Sequence, residues 1–463
     1  MNTKPLLALA FAGLFAVTAS AALTGVTING EPLNDAAGSS GAGWAYTPPT
    51  LTLSGAGPFV ISGTNTAGKV CVIVQTGVTC DVTLSNLTLA ATGNQLCPFA
   101  LESGANVTLF LAGNNSLRSG DRRAGIEVAT GRTLSITNAP GDDAAFLSVR
   151  GAYLGAGIGS GDSGNGGTIT ISGGTVEATG GSWSAGIGGG GTVAINGGTV
   201  FAQGGTGGAD IGPGRNGVVA GANTFTGGSI CLGGTFIAPE PSNSTVPVFC
   251  AVVTGFAPGA WVEFTNPGTL PAGFGTDDIF ADDSGAIYLW LPNGSYTFTA
   301  NGHDCTVTIQ NGVGPTGVTV NGVDVALGPP NDAAGWAYDA ATGILSLTNA
   351  GPFTLSGANV MGGVQVVVLE GVASTVTLSN LTLQALGDGQ CAFALETNAV
   401  VSLFLAGTNE LASGRNRAGL EVAAGRTLSI TNAPGDDAGA LTATSEDSGA
   451  GIGGGAGIGG GTV

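Results

Sequence analysis

Short segments of the chain alternate hydrophobic with polar residues. Thr168–Ile171 (TITI) and Thr192–Ile195 (TVAI) place their apolar side chains on one face, which is the pattern of a half-buried β-strand. A Gly-Gly pair and a second short segment of the same kind follow each of them. No stretch beyond residue 21 has a convincing helical period. The pattern therefore predicts an all-β chain of short strands and tight turns.

These alternating segments recur at a fixed interval. ISGGTV begins at Ile171, and INGGTV begins at Ile195, 24 residues later. One such unit cannot bury its own apolar face, but stacked units can, which predicts a right-handed parallel β-helix. We expect Val193, Ile195 and Val200 to face the stacked core. The glycines of residues 185–205 would then form corners, where the chain turns with positive φ or neighbouring coils approach closely.

A much larger repeat divides the chain into two copies. TLSNLTL begins at Thr83 and at Thr377, and GRTLSITNAPGDDA begins at Gly131 and at Gly425, both at an offset of 294 residues. The second copy stops inside the region that matches Gly191–Val193, so we expect the chain to be part of a longer polypeptide. The predicted organisation is a signal peptide (1–21), a first β-helix copy (22–243), a small antiparallel β-sandwich (244–316) and an incomplete second β-helix copy (317–463).

Residues 244–316 differ from the copies on either side. They contain less glycine and more aromatic residues, and Asp282–Gly302 has the pattern of a strand, a Pro-Asn-Gly turn and a second strand. We therefore predict a separate small β-sandwich, with Trp261 and Trp290 in its core.

The first 21 residues have the features of a secretory signal. Lys4 precedes the apolar run Leu6–Val17, and residues 19–21 (ASA) are the small residues of a cleavage site. The run is too short to span a membrane, and no other stretch is long and apolar enough. We expect a secreted or cell-surface protein without a transmembrane segment in this chain.

Composition narrows the classes of partner. Hydrophobic residues make up 43% of the chain and charged residues 9%, which excludes the disordered class. The formal net charge is −19, with 11 Lys and Arg against 30 Asp and Glu. Because nucleic-acid binding needs clustered cations, we expect no nucleic-acid partner. Neutral glycans and divalent metal ions remain as possible binding partners. Acidic polysaccharides would be disfavoured unless cations bridge them to the protein.

Two disulfides are predicted among the seven cysteines, since export would permit them. Cys71 and Cys80 are both absent from the corresponding positions of the second copy, which indicates that they pair with each other. Cys250 and Cys305 lie near the two ends of the small domain and form the second candidate pair. The other three, for which no pairing is predicted, are Cys97, Cys231 and Cys391.

No catalytic constellation can be identified in the sequence. Asp142 and Asp143 follow Pro-Gly, which favours a turn over the two facing carboxylates that a glycosidase needs. The arginine clusters of the two copies are expected to have surface or turn-pairing roles with Glu127 and Glu421. We therefore predict that the protein is not an enzyme.

Calcium is the inorganic partner that the sequence favours most. Carboxylates and turn carbonyls, the oxygen ligands that Ca²⁺ prefers, occur together in GDSGNGG and in TDDIFADDSG. Solvated turns are the alternative interpretation. The candidate ligands are Asp162, Asp277, Asp278, Asp282 and Asp283.

Three tryptophans are candidates for stacking on sugar rings. Trp183 lies in a glycine-rich turn, and an exposed aromatic ring on a rigid turn can pack against the apolar face of a pyranose. Trp44 and Trp336 open the two copies and are further candidates. The alternative for these two, which we favour, is that they cap the open end of the helix core.

The motifs together resemble a known group. LTLSGAGPFVISG, VTLSNLTL, GAGIGSG and the GGTV repeats are similar to exported bacterial parallel β-helix proteins of the carbohydrate-binding domain-containing type. Part of the pattern is similar to a cellulose- and polygalacturonate-binding β-helix family, and the small domain resembles transthyretin-like or carboxypeptidase-regulatory-like sandwiches. The resemblance implies non-catalytic binding of a polysaccharide or surface glycan, that is, an adhesion role.

Two other functions remain open at the level of sequence. The chain could be a structural stalk or adhesin passenger without glycan binding. It could also be a polysaccharide lyase or hydrolase built on a β-helix.

Overall fold

The fold is a parallel β-helix of about 13 coils, where one coil is one turn of the chain around the helix axis. The computed structural model describes residues 23–91, 93–162, 164–214, 221–233, 237–310, 314–326, 334–385, 387 and 389–463. These residues contain strands and no α-helix, so the predicted fold class is confirmed. The predicted signal peptide, residues 1–21, lies outside the described residues.

The described residues of the first copy form 23 short strands. They are β1 (Leu23–Ile28), β2 (Glu31–Asn34), β3 (Ser39–Gly41), β4 (Trp44–Thr47), β5 (Thr50–Leu53), β6 (Phe59–Asn65), β7 (Cys71–Val74), β8 (Thr79–Ala90), β9 (Phe99–Leu101), β10 (Asn106–Ala112), β11 (Asn114–Arg118), β12 (Ile126–Glu127), β13 (Thr133–Asn138), β14 (Phe146–Arg150), β15 (Ile158–Gly159), β16 (Thr168–Ile171), β17 (Thr175–Thr179), β18 (Ile187–Gly188), β19 (Thr192–Ile195), β20 (Thr199–Gln203), β21 (Ile211–Gly212), β22 (Asn223–Phe225) and β23 (Ser229–Leu232).

The interval of 24 residues is the length of one coil. β16 pairs in parallel with β19, and Ile171 lies opposite Ile195. β17 pairs in the same way with β20, and Val176 lies opposite Val200. Val193, Ile195 and Val200 are all fully buried, as predicted from their alternation with polar residues.

The long strand β8 lies where the larger sheet of the first copy splits into two branches. Its first half pairs with β10 and its second half with β11, so each later coil adds one strand to each branch. A nine-stranded sheet, which runs from β21 through β9 and β7 to β3, supplies a further strand per coil. Apolar side chains from both sheets form one continuous core.

Residues 249–309 form two small antiparallel sheets. Their strands are β24 (Phe249–Thr254), β25 (Phe264–Asn266), β26 (Ala286–Leu291), β27 (Gly294–Ala300) and β28 (His303–Ile309). β26 pairs with β24, whereas β27 pairs with β25 and β28, so the Pro-Asn-Gly turn connects the two sheets. Side chains from both sheets share one hydrophobic cluster. The β-sandwich assignment stays a prediction.

This small unit packs against the last coil of the first copy. Trp290 donates a hydrogen bond from Nε1 to the carbonyl oxygen of Ile230 (2.9 Å), and its ring meets Phe225 edge-on at 5.4 Å. Trp290 is therefore buried in the hydrophobic cluster of the first copy and not in that of the small unit, which corrects its prediction as core of the small domain. The prediction for Trp261 is wrong, because its side chain is 52% exposed.

The second copy repeats the strands of the first. They are β29 (Val318–Val320), β30 (Val323–Asp324), β31 (Trp336–Asp339), β32 (Ile344–Leu347), β33 (Phe353–Asn359), β34 (Gln365–Val368), β35 (Ala373–Ala385), β36 (Phe393–Leu395), β37 (Val400–Ala406), β38 (Thr408–Ser413), β39 (Leu420–Glu421), β40 (Thr427–Asn432), β41 (Ala440–Ser445) and β42 (Ile452–Gly453).

Matching residues of the two copies have matching partners. Leu109 lies opposite Ile136 in the first copy, and Leu403 lies opposite Ile430 in the second. The second copy has its own buried core. The small unit also contacts this copy, since Cys250 Sγ lies 3.7 Å from Met361 Sδ. The offset of 294 residues is thus a repeat of structure as well as of sequence.

Candidate functional site

A cleft of about 640 Å³ lies between the two copies and is the best candidate for a binding site. One wall is a stack of glycine-rich turns from the first copy, and the other comes from turns of the second copy. We call it the inter-copy cleft. The side chains with binding potential that line it are Arg118, Asp121, Arg150, Tyr153, Gln203 and Thr206 of the first copy and Gln390, Arg415 and Glu446 of the second.

Close stacking of the glycine turns makes the first wall. The backbone N–H of Gly181 donates to the carbonyl oxygen of Gly155 in the preceding coil (2.9 Å), and that of Trp183 donates to Thr206 in the next (2.8 Å). A Cβ atom at Gly205 would lie 2.0 Å from the carbonyl oxygen of Gly181. Only glycine allows this approach, so the wall is close-packed and rigid.

Two arginines stand next to each other on this wall. Arg118 ends β11 and Arg150 ends β14, and the two residues are direct partners in the parallel pairing. Neighbouring strands lie about 4.8 Å apart, so both side chains leave the same face side by side. Both are exposed, and neither forms an ion pair with any described residue. Thr179 and then Gln203 continue the row.

Arg415 joins the two walls. Its Nη1 donates a hydrogen bond to Thr206 Oγ1 of the first copy at 2.7 Å, and its Nε lies 4.0 Å from Glu446 Oε1. Tyr153, whose side chain is 49% exposed, follows Arg150 by three residues in the same cleft. The cleft therefore combines an exposed aromatic ring with guanidinium and amide groups.

The structure changes the assignment of the predicted aromatic platform. Trp44 and Trp336 are only 5% and 3% exposed and pack in the cores of their copies, so neither presents a ring face to solvent. This corrects their prediction as stacking surfaces, whereas the alternative, a cap on the open end of the helix core, agrees with their burial. Trp183 is half-buried and lies against Gly207, beside the inter-copy cleft.

The candidate calcium ligands have other partners. Asp162 pairs with Arg122 (2.7 Å), and Asp282 accepts hydrogen bonds from Ser284 and from the hydroxyl of Tyr288. Burial raises the pKa of Asp278, which opposes the charged form that a cation needs.

No group of three His, Cys, Asp or Glu residues close enough to hold a metal ion occurs in the described part of the chain. The five aspartates are therefore not gathered into one site. Asp277 and Asp278 share one turn, whereas Asp282 and Asp283 are neighbours just before strand β26.

Neither predicted disulfide forms, because all seven cysteines are free thiols. Cys80 lies on β8 and faces the core. Cys71 lies on β7, which belongs to another sheet, and its side chain does not share the inward-facing positions of Val72 and Val74. Cys250 and Cys305 likewise belong to different sheets. Burial raises the pKa of the Cys80 thiol to about 11.

The turn-pairing role predicted for two arginines is confirmed. Arg123 Nε donates to Glu127 Oε2, and Arg417 Nε donates to Glu421 Oε2 at 2.6 Å. These pairs occupy equivalent positions in the two copies. Their guanidinium groups are therefore committed to the fold, unlike those of Arg118 and Arg150.

Sequence reasoning missed the residues of the inter-copy cleft. Arg118 and Arg150 are 32 positions apart, and only the length of the intervening coil makes them neighbours. A signal was present, because each arginine follows a serine and an apolar residue (SLR and SVR) at the end of a strand.

A second cleft, of about 700 Å³, lies between the small unit and both copies. It is lined by the half-buried rings of Phe146 and Phe201 and by carboxylates that include Glu177 and Glu410. Glu410 accepts a hydrogen bond from Gln384 (3.4 Å).

The described residues include no helix that is long and apolar enough to cross a membrane. Comparison with protein-family models, with curated proteins and with solved structures gave no match.

Proposed function

We propose that this chain is a non-catalytic, secreted or cell-surface protein that binds a polysaccharide in the inter-copy cleft. The observation that carries the proposal is the exposed ring of Tyr153 on a rigid wall beside guanidinium and amide groups. Sugar rings pack on aromatic faces, and their hydroxyl groups pair with planar polar side chains. The resemblance of the coil motifs to carbohydrate-binding β-helix proteins, with a transthyretin-like unit between the copies, supports the same function.

A glycan array tests this proposal. The full chain is applied with and without Ca²⁺, alongside Tyr153→Ala and Trp261→Ala. Trp261 is a matched control, because it is as exposed as Tyr153 but lies outside the cleft. We expect Tyr153→Ala to lose most of the binding and Trp261→Ala to keep it. If the wild-type chain retains no glycan under either condition, the proposal fails.

A structural role is the second candidate. Strands paired coil upon coil give an elongated stack, which suits a stalk or adhesin passenger. The same array separates the two functions, because a stalk retains no glycan. Sustained release of sugar products from pectin or cellulose would instead favour a lyase or hydrolase.

A further inference from the structure

The inter-copy cleft has a charge opposite to that of the chain. Its lining includes three arginines and two carboxylates, a net formal charge of +1. The whole chain has a formal net charge of −19. In the whole chain, Asp and Glu outnumber Lys and Arg nearly threefold. Three of the 11 Lys and Arg residues nevertheless line this one cleft.

The placement of Arg118 and Arg150 is unfavourable without a ligand. Like charges at directly opposed positions of neighbouring strands repel each other. Asp121 and Glu446 line the cleft, but neither forms an ion pair with Arg118 or Arg150. An anionic group between the two guanidinium groups would relieve the repulsion and accept charge-assisted hydrogen bonds from both.

From this geometry, and resting on the glycan binding proposed above, we infer that Arg118 and Arg150 hold an isolated acidic group of the glycan, a carboxylate or a sulfate ester. Tyr153 lies in the turn that follows Arg150 and would pack on the ring that carries the acidic group. Arg415 is already bonded to Thr206 and completes the cleft from the other copy.

The negative charge of the rest of the protein limits how many acidic groups a bound glycan can carry. At physiological salt, charges are screened beyond about 8 Å, so the local arginines dominate within the cleft. A glycan with acidic groups at every sugar would extend beyond the cleft along a chain whose formal net charge is −19, and it would be repelled. The site therefore favours a sparsely acidic glycan over a polymer composed only of uronates.

Titration calorimetry with defined oligosaccharides tests the inference. The first ligand alternates glucuronate with a neutral sugar. The second is the same oligosaccharide after reduction of its carboxyl groups to neutral alcohols. The third carries sulfate esters on the reduced backbone, which separates the two kinds of acidic group. The fourth is an oligomer of equal length made only of uronates.

We expect the alternating ligand or its sulfated form to bind at least about tenfold more tightly than the neutral form, as one charge-assisted contact implies. Arg118→Gln and Arg150→Gln should each remove about tenfold of that affinity. The control Lys69→Gln removes one positive charge outside the cleft and should change little. Thermal unfolding of each variant shows that it is folded.

The outcomes separate this inference from the proposed function. Equal affinity for acidic and neutral forms, or unchanged binding by both arginine variants, overturns the inference and leaves glycan binding intact. Tighter binding of the all-uronate oligomer than of the alternating ligand also overturns it. Failure of every oligosaccharide to bind overturns both proposals.

Discussion

Asn115 lies fully buried between coils, and its Oδ1 accepts a hydrogen bond from the backbone N–H of Leu87 at 2.9 Å. Its amide Nδ2 donates to the carbonyl oxygen of Phe146 in the coil on the other side (3.3 Å). Asn409 makes the equivalent bond to Leu381 in the second copy, also at 2.9 Å. One side chain therefore satisfies backbone groups of neighbouring coils where the chain bends.

Replacement of this asparagine should destabilise the stack. Asn115→Ala would leave the buried N–H of Leu87 without its partner, and we expect the free energy of unfolding to fall by about 1–3 kcal/mol. Denaturant unfolding measures the change. Asn114→Ala is the control, because Asn114 is the exposed neighbour on the same strand. Equal losses in the two variants would contradict the role assigned to Asn115.

The core of the β-helix could be predicted from sequence because burial follows a local rule. Alternation alone places Val193, Ile195 and Val200 inward, and the repeat length alone places Ile171 opposite Ile195. Contacts between coils of unequal length follow no such rule. Residue 118 lies opposite residue 150 only because the coil between them has its own insertions.

The failed predictions have a common physical cause. Trp44 is as apolar in a core as it would be on a sugar-binding surface, so its residue type does not distinguish the two roles. Cys71 and Cys80 vary together between the copies, yet their side chains leave different sheets. Both questions depend on the direction in which a side chain points, and a single sequence fixes that direction only within a strand.

One buried and one partly buried tyrosine should make the stability of the fold fall at alkaline pH. Tyr46 donates its hydroxyl to the carbonyl oxygen of Lys69, and Tyr338 donates to that of Gly363, both at 2.6 Å. Burial raises the pKa of each to about 12. An unfolded tyrosine ionises near pH 10. The stabilisation is therefore complete below pH 10 and is lost as the pH rises from 10 to 12.

Denaturant unfolding between pH 9 and pH 12 checks this dependence. We expect the free energy of unfolding to fall above pH 10, and the double variant Tyr46→Phe and Tyr338→Phe to show a shallower fall. Phenylalanine also removes the two hydrogen bonds, so the slope with pH is the relevant readout. An identical slope in the wild type and the variant would contradict the prediction.

The cysteines should differ in their reactivity in the folded protein. Cys97 donates its thiol to the carbonyl oxygens of Phe99 and Ala124, both at 3.1 Å, and burial raises its pKa. Cys305 is only partly buried. Because the thiolate is the reactive form, Cys305 should be alkylated well before Cys97 at pH 8. Peptide mapping by mass spectrometry after timed labelling measures the order, and rapid labelling of Cys97 would contradict it.

Alanine substitutions at two glycines should distinguish two contributions to the free energy of unfolding. One is the close approach of neighbouring coils, and the other is a left-handed backbone conformation. Gly181 lines the inter-copy cleft, and a Cβ atom there would lie 1.8 Å from the carbonyl oxygen of Ala152 in the preceding coil. Gly131 has a φ of 77°, but a Cβ atom there would meet no neighbour within 4 Å. We expect Gly131→Ala to lower the free energy of unfolding by about 1–2 kcal/mol, as a left-handed conformation implies.

Gly181→Ala should be the more damaging change, because the methyl group cannot fit unless adjacent coils move apart. We expect a loss of more than about 3 kcal/mol, together with faster hydrogen exchange in the turns that contain Ala152 and Trp183. Glycan affinity should fall as well, since these turns carry Tyr153, whereas Gly131→Ala should leave it unchanged. Equal stability losses in Gly181→Ala and Gly131→Ala would contradict this prediction. They would show that backbone conformation, and not the close spacing of the coils, is the reason for a glycine at position 181.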